Sequence, residues 1–208
     1  RVGKEQKLRP CDVAGGGGKV LFKAPDALAD MQHVKVQFGM TFFKIPYSLQ
    51  GDAAVAKMFE PLGVETVMEQ GRVLIRKSGK RVETCEWNML AQPDLAQTIV
   101  VTCCMKGVHF RISGLQTLRI KETDRIAALQ KELLKYGFVL TAEGDDVLQW
   151  KGEMSGQPVM PEHVSIDTYD DHRMAMALLI AGYEVNDTAC ISKSYPQFLE
   201  QFRQLRKK

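Results

Sequence analysis

Residues 123–151 read TDRIAALQKELLKYGFVLTAEGDDVLQWK, which predicts one helix followed by a β-hairpin. The helix is expected to begin after Asp124, because a short carboxylate can accept the free N–H groups of a first turn. The apolar residues recur at helical spacing on one face, at Ile126, Leu129, Leu133 and Leu134. The charged residues are expected on the opposite face, at Lys131, Glu132 and Lys135. Gly137 can end the helix in a left-handed conformation, and Gly144 marks the turn between two strands.

The same order of signals occurs at 51–77, GDAAVAKMFEPLGVETVMEQGRVLIRK. An acidic residue precedes a helix, Gly63 follows it, and Gly71 separates two strands. The two copies are offset by roughly 70 residues, which is too long for a solenoid repeat but suits a unit of several elements. The sequence therefore predicts an α/β protein built from related units.

The remaining segments extend this repeat in both directions. Between the copies, Pro93 is expected to start a helix from Asp94 to about Met105, with a strand following at 108–112. After the second copy we expect a helix from Asp171, a strand at ACIS (189–192) and a helix in SYPQFLEQFRQL (194–205). Upstream, the alternation at 33–45 predicts a strand. We therefore expect three related units in one domain over 36–208, and an irregular segment over 1–35.

Composition and charge exclude several classes of protein. The chain has 208 residues, 45% of them hydrophobic and 25% charged, with a net charge of +3. Such a composition is typical of a globular protein, and its weak, dispersed positive charge does not predict nucleic-acid binding. No apolar run is long enough to span a bilayer, and no signal peptide is visible. Five cysteines without a CxxC pair indicate a reducing compartment, so we expect a cytoplasmic protein that does not contact membranes.

Cations occur at three predicted helix starts, where the helix dipole disfavours them. Arg125 follows Asp124, Arg173 follows Asp171 in YDDHRMAM (169–176), and Lys193 precedes the last predicted helix. Each mismatch costs about 0.3–1 kcal/mol. The conflict disappears if these helix starts meet at one cleft, where free N–H groups and cations together bind an anion. A solvated surface role for each cation is the alternative.

Other polar residues near these starts could take part in proton transfer. Glu122 lies beside Lys121 and Arg125, which should stabilise its anion, so it could act as a base or form a surface ion pair. Asp94 follows Pro93 and could bind a ligand or cap its helix. His172 could bond a ligand or orient the loop. No cluster has metal-ligand spacing, so we expect no metal site, and the glycine run at 15–18 lacks the Ser or Thr of a phosphate loop.

Five motifs resemble those of the 5-enolpyruvylshikimate-3-phosphate synthase family. They are SLQGD (48–52), QPDLAQT (92–98), LRIKETDRIAAL (118–129), DDHRMAMAL (170–178) and SKSYPQFLEQF (192–202). The resemblance covers the C-terminal domain of that family, so the chain is expected to be part of an enzyme whose N-terminal domain is missing here. It implies an inside-out α/β barrel-like domain of three βαβαββ units, whose helix N-termini face the interdomain cleft, and a monomeric enzyme.

The resemblance also implies an activity and a role for each candidate residue. The activity is transfer of the enolpyruvyl group from phosphoenolpyruvate to the 5-hydroxyl of shikimate 3-phosphate, a step of aromatic amino-acid biosynthesis that requires no cofactor. Arg125 and Arg173 would hold the phosphoenolpyruvate carboxylate, and Lys193 would meet its phosphate and move a proton. Glu122 would transfer a proton at the methylene carbon. Asp94 would bind and help deprotonate the acceptor, Lys121 would contact shikimate 3-phosphate, and His172 would support the site.

Two other functions stay open at this stage. The chain could be a non-catalytic anion-binding module, or it could belong to an enolpyruvyl transferase with another acceptor. As one half of an active site, the isolated chain is expected to bind substrates weakly and to be inactive.

Overall fold

The computed structural model describes residues 54–69, 72–80, 82–156 and 165–206. In chain order, the helices are α1 (Val55–Phe59), α2 (Ala96–Lys106), α3 (Arg125–Leu134), α4 (His172–Ile180) and α5 (Phe198–Arg206). The strands are β1 (Val64–Glu69), β2 (Arg72–Lys77), β3 (Thr84–Asn88), β4 (His109–Ser113), β5 (Thr141–Glu143) and β6 (Val147–Trp150). Within these described ranges, short 3-10 helices occupy Pro93–Leu95, Gln116–Ile120 and Ala189–Lys193.

The expected mixture of helices and strands is present. The predicted strand at 33–45, the segment 1–35, the acidic residue before α1 and the Gly71 turn lie outside the described residues. Both predicted hairpins form, since β1 pairs antiparallel with β2 and β5 pairs antiparallel with β6. The helix expected from Asp94 begins with the 3-10 turn at Pro93 and continues as α2.

A four-stranded sheet organises the centre of the described chain, in the order β3-β4-β6-β5. β3 and β4 are parallel and are joined through α2, whereas β6 runs antiparallel to both of its neighbours. Residues 84–150 therefore follow the order β-α-β-α-β-β, which is the order that the family resemblance implies for one unit. α2 contacts β4, α3 and α4, and most of its side chains are buried because it is covered on several sides.

The buried hydrophobic residues of the described part of the chain form two clusters. The main core includes Ile99, Ile112, Leu129 and Leu148, all fully buried. A smaller cluster joins α4 to the C-terminal helix through Ala175, Cys190, Ile191 and Phe198. The four described cysteines are buried and unbridged.

Three details of the sequence prediction are wrong. The segment ACIS forms a 3-10 helix because local bonds close it: Ala189 N–H donates to Asp187 and Ser192 Oγ donates to the Ala189 carbonyl. The last helix begins at Phe198, four residues later than expected. On α3, Glu132 is fully buried and Leu134 is 48% exposed. Glu132 can be buried because its carboxylate has hydrogen-bond and ion-pair partners, some of them distant in sequence.

Candidate active site

Two segments of the candidate site meet because β3 and β4 are parallel neighbours. The carboxyl ends of parallel strands lie at the same edge of a sheet, so the segments that follow them come close together. The segment after β3 carries Asp94, and the segment after β4 carries Lys121, Glu122 and Arg125. α4 packs against α2 and brings Arg173 to the same place.

Asp94 is the point at which these cations meet. Its carboxylate lies 2.8 Å from Arg125 Nη1, 3.5 Å from Arg173 Nη2 and 3.5 Å from Lys121 Nζ. Arg173 Nη1 also donates to the Asp94 main-chain carbonyl at 2.9 Å. Burial raises the pKa of Asp94, but Arg173, Lys121 and Arg125 together outweigh burial, so its pKa is lowered overall. Asp94 is therefore an anion at neutral pH.

Arg125 is buried among carboxylates, with only 2% of its side chain exposed. Its Nε donates to Asp171 at 2.6 Å, and its Nη2 donates to Glu122 at 2.8 Å and to Asp171 at 3.3 Å. With the Asp94 bond, every nitrogen of the guanidinium has a carboxylate partner. The planar fork of Arg suits such multiple contacts, whereas a Lys could not make them.

The cluster formed by Asp94, Lys121, Glu122, Arg125, Asp171 and Arg173 is called the Arg125 cluster below. Its three cations and three carboxylates balance in formal charge. Arg173 and Lys121 keep 28% and 35% of their side chains exposed, and Glu122 keeps 45%. A ligand that arrives from solvent therefore meets these three side chains before it meets Arg125.

The caps of α3 and α4 explain why cations are tolerated at these helix starts. The Asp124 carboxylate accepts from Ala127 N–H at 3.0 Å. The Asp171 carboxylate accepts from Arg173 N–H at 2.8 Å and from Met174 N–H at 3.3 Å, as its place before α4 predicts. Each cap adds a negative charge at the positive end of its helix, which offsets the unfavourable cation in the first turn.

The structure corrects the sequence argument for Lys193. Lys193 ends the 3-10 helix Ala189–Lys193 and does not open a long helix, so its charge is not opposed by a helix dipole. Its ammonium pairs with Asp170, the neighbour of Asp171. The hydrogen bond to Asp170 raises the pKa of Lys193. Lys193 thus adjoins the cluster through the 170–171 segment, whereas Arg125 and Arg173 share Asp94 directly.

His172 is the first residue of α4 and is half-buried.

Two contacts of Arg125 were not predicted from the sequence. Asp171, predicted only as a cap, also holds Arg125. Gln97, on the first turn of α2, places its amide oxygen 3.1 Å from Arg125 Nε and donates to the Asp94 carbonyl at 3.2 Å in its favoured orientation. The motif QPDLAQT contains this Gln, but local sequence does not reveal a partner 28 residues away.

The sequence profile of the family described as EPSP synthase (3-phosphoshikimate 1-carboxyvinyltransferase) matches residues 44–202. The chain belongs to the EPSP synthase family. It is 42% identical over 162 residues to a 3-phosphoshikimate 1-carboxyvinyltransferase of Bacteroides fragilis, an alignment that covers 76% of this chain and 39% of that protein. Proteins of the same name from Shewanella amazonensis and Vibrio cholerae are 35% and 33% identical, over 77% and 76% of this chain.

The chain spans less than half of the length of these relatives. It spans about 39% of the length of the Bacteroides relative and 37% of the Shewanella relative. The matched range includes every residue of the Arg125 cluster and Lys193. Within the described ranges, no helix is long and apolar enough to cross a bilayer, and no group of His, Cys, Asp and Glu side chains is arranged to hold a metal ion.

Proposed function

We propose that this chain supplies half of the active site of an EPSP synthase, which transfers the enolpyruvyl group of phosphoenolpyruvate to the 5-hydroxyl of shikimate 3-phosphate and releases phosphate. The observation that carries the proposal is the meeting of Arg125, Arg173 and Lys121 at Asp94, within the range that matches the family. The names of the relatives support the reaction.

We also infer the finer architecture of the whole enzyme. The order β-α-β-α-β-β over residues 84–150 supports a domain of three such units in an inside-out barrel. A second, N-terminal domain would supply the rest of the cleft, and the enzyme would act as a cytoplasmic monomer.

The exposure of the side chains suggests how phosphoenolpyruvate would bind. Arg173, which is partly exposed and fork-shaped, would take the carboxylate in a bidentate contact. Lys193, more than half exposed, would meet the phosphate. Arg125 would join when Glu122, its most exposed partner, releases Nη2. Lys121 would contact shikimate 3-phosphate beside Asp94, and His172 would support the site from the start of α4.

The same groups would carry the proton transfers. Asp94 is held as an anion, so it would take the proton of the 5-hydroxyl as the hydroxyl oxygen bonds to the central carbon of phosphoenolpyruvate. Glu122 or Lys193 would deliver a proton to the methylene carbon, which gives a tetrahedral intermediate. The same group would then take a proton back from the resulting methyl carbon, which restores the double bond as the C–O bond to phosphate breaks. The surrounding cations would stabilise the departing phosphate. No cofactor enters this sequence of steps.

Calorimetry with phosphoenolpyruvate and shikimate 3-phosphate tests the proposal on the wild-type chain and on Arg173→Ala. We expect weak binding by the wild type and at least about a tenfold loss in the variant, as for a lost charge-assisted contact. Arg111→Ala is the matched control, because Arg111 is a half-exposed Arg on β4 that pairs with Glu86 and Glu143. Equal binding by wild type and Arg173→Ala contradicts the proposal.

A complementation assay then separates catalysis from simple anion binding. The chain is mixed with the separately produced N-terminal domain of the Bacteroides relative, and phosphate release is followed with both substrates. Turnover that appears only in the mixture supports the synthase. Substrate binding without turnover in any mixture favours an anion-binding module, and turnover with a different acceptor favours another enolpyruvyl transferase.

A further inference from the structure

A turn in an unusual conformation precedes α4. Tyr169 and Asp170 both have positive φ, at 57° and 55°, and Asp171 N–H donates to the Thr168 carbonyl at 2.9 Å. Two successive left-handed residues closed by such a bond are typical of a type I′ turn, which normally uses Gly, Asn or Asp. Asp170 fits this preference, but a bulky Tyr does not, so surrounding contacts must hold Tyr169 in place.

Glu132 on α3 provides that contact. The phenol of Tyr169 donates to Glu132 Oε1 at 2.6 Å, and Glu132 is completely buried. The other carboxylate oxygen accepts from Asp167 N–H at 3.0 Å and pairs with Lys135 at 2.6 Å. The Glu132 carboxylate thus bonds to the chain just before the turn and, through Tyr169, to the turn itself.

A second anchor holds the other side of the same segment. The Asn186 side-chain oxygen accepts from Thr168 N–H at 3.1 Å, and its amide donates to the Asp167 carboxylate at 3.0 Å. Lys131 lies 5.5 Å from the centre of the Tyr169 ring. The left-handed residues are therefore fixed between α3 and the segment before the last 3-10 helix.

The two residues at the end of the turn are those that reach the cations. Asp170 pairs with Lys193, and Asp171 binds Arg125 and caps α4. A change of φ at Tyr169 redirects the chain at both positions, because the two residues follow it immediately. The buried end of the Arg125 cluster therefore depends on a turn that Glu132 holds from near the C-terminal end of α3.

We propose that Glu132 and Tyr169 are positioning residues for the Arg125 cluster: their hydrogen bond holds the left-handed turn that places Asp171 on Arg125 and Asp170 on Lys193. Their importance for substrate binding rests on the function proposed above. The positioning itself does not rest on the proposed function, and it can be measured without a substrate. Burying a carboxylate costs desolvation free energy, so a role in fixing one conformation also accounts for the presence of Glu132 in the core.

The first experiment measures hydrogen exchange of the Arg125 Nε–H by NMR in the wild-type chain, Tyr169→Phe and Glu132→Gln. Tyr169→Phe removes one oxygen and keeps the ring. We expect the Nε–H to exchange about tenfold faster or more in both variants, the factor that a hydrogen bond to a charged group typically contributes. The amide signals of residues 170–173 should shift as well.

Tyr183→Phe is the matched control. Tyr183 is buried, whereas Tyr169 is partly buried, and the Tyr183 hydroxyl donates to Met105 Sδ near the far end of α4. This variant removes a buried phenol oxygen without touching the turn, so the Arg125 Nε–H should exchange at the wild-type rate. Unchanged exchange in Tyr169→Phe and Glu132→Gln, or equal acceleration in Tyr183→Phe, overturns the proposal.

A second pair of variants tests the backbone conformation directly. Tyr169→Ala and Tyr169→Gly both lose the ring, but only Gly adopts positive φ without strain. We expect Gly to keep the Arg125 Nε–H closer to its wild-type exchange rate than Ala does. Equal exchange in the two variants shows that the left-handed turn does not position Asp171.

Binding of phosphoenolpyruvate distinguishes this proposal from the proposed function. Faster Nε–H exchange in Tyr169→Phe together with no binding by the wild type supports the positioning pair and rejects the substrate site. Binding by the wild type together with unchanged Nε–H exchange in Tyr169→Phe, at a temperature where both are folded, supports the site and rejects the positioning role. A loss of affinity in Tyr169→Phe, but not in Tyr183→Phe, supports both.

Discussion

Asp94 shows how one side chain can combine structure with chemistry. It lies where the segments after two parallel strands meet, and it contacts one buried and two partly exposed cations. Its low pKa follows from that placement, since burial alone would have raised it. The same contacts that keep it ionised, and therefore free to accept a proton, also join the elements around it.

We expect Asp94→Asn to lower the free energy of unfolding at pH 7 by about 1–3 kcal/mol, because hydrogen bonds to charged partners are weakened. Because folding lowers the pKa of Asp94, its ionised carboxylate stabilises the protein at pH values above 3.8, the ordinary pKa of this group. That stabilisation is lost as the pH falls through the lower pKa that Asp94 has in the folded protein. The difference in the free energy of unfolding between wild type and Asp94→Asn, measured by urea unfolding, should therefore shrink below pH 3.8. Asp145→Asn, at a side chain that is 91% exposed, should change little at any pH.

Lys193 offers a second test at a single side chain. Its pKa is raised by the hydrogen bond and charge of Asp170, with a smaller contribution from Asp187. Asp170→Asn should bring the pKa of Lys193 back toward its ordinary value of 10.5, as followed by NMR of the Lys side chain. Any stabilisation from this pair is present below that value and is lost as the pH rises through the folded pKa. Asp187→Asn should produce a smaller change, and a larger one would mean that Asp170 is not the main partner.

The helix caps differ in what they connect. Asp124 caps α3 near the surface and also pairs with Arg119 at 3.0 Å. Asp171 caps α4 in the interior and at the same time neutralises Arg125. The two residues satisfy the same kind of helix start, yet of the two only Asp171 joins one α-helix to another.

Replacing each cap by Ala should separate these roles. Asp124→Ala should cost about 0.5–2 kcal/mol of stability, the usual range for a lost cap. Asp171→Ala should cost more, about 3–5 kcal/mol, because it leaves a buried cation without its inner partner. Urea unfolding followed by circular dichroism measures both. Equal losses would contradict a special role for Asp171 in holding Arg125.

Across the whole described chain, the two hydrophobic clusters indicate two levels of stability. The main core surrounds α2, α3 and the four-stranded sheet, whereas α5 belongs to the smaller cluster on α4. Phe198 is central to that smaller cluster, with ring centres 5.8 Å from Tyr195 and 5.7 Å from Phe202. A segment held by a small cluster can open without global unfolding.

We expect Phe198→Ala to speed amide exchange in α5 while leaving α2 close to the wild type, because the lost contacts lie in the smaller cluster. Leu129→Ala removes a fully buried side chain from the main core and should cost about 2–5 kcal/mol. Its effect should therefore reach α2. Native-state hydrogen exchange by NMR measures both variants. Equal acceleration in α2 and α5 for Phe198→Ala would show that the two clusters unfold together.

Much of the described fold was predictable because its signals are local. The spacing of apolar residues in α3, the glycines after helices, and the acidic residues before α3 and α4 act within a few residues of chain. These signals located both hairpins, α2, α3 and α4. They failed at 189–197, where side-chain bonds to nearby backbone groups favoured a 3-10 turn over a strand. The distant partners of Glu132 likewise overrode its charge and buried it.

The amino-acid sequence by itself determined the family, the candidate residues and the cations at the starts of α3 and α4, because motifs and caps are read along a continuous chain. Only the tertiary structure decided which of these residues touch. Parallel pairing of β3 with β4 brings Asp94 to Arg125, and the packing of α4 on α2 adds Arg173. The left-handed turn at Tyr169 then directs Asp171 inward. Such contacts join residues 31 to 79 positions apart, and no local pattern encodes the distance between them.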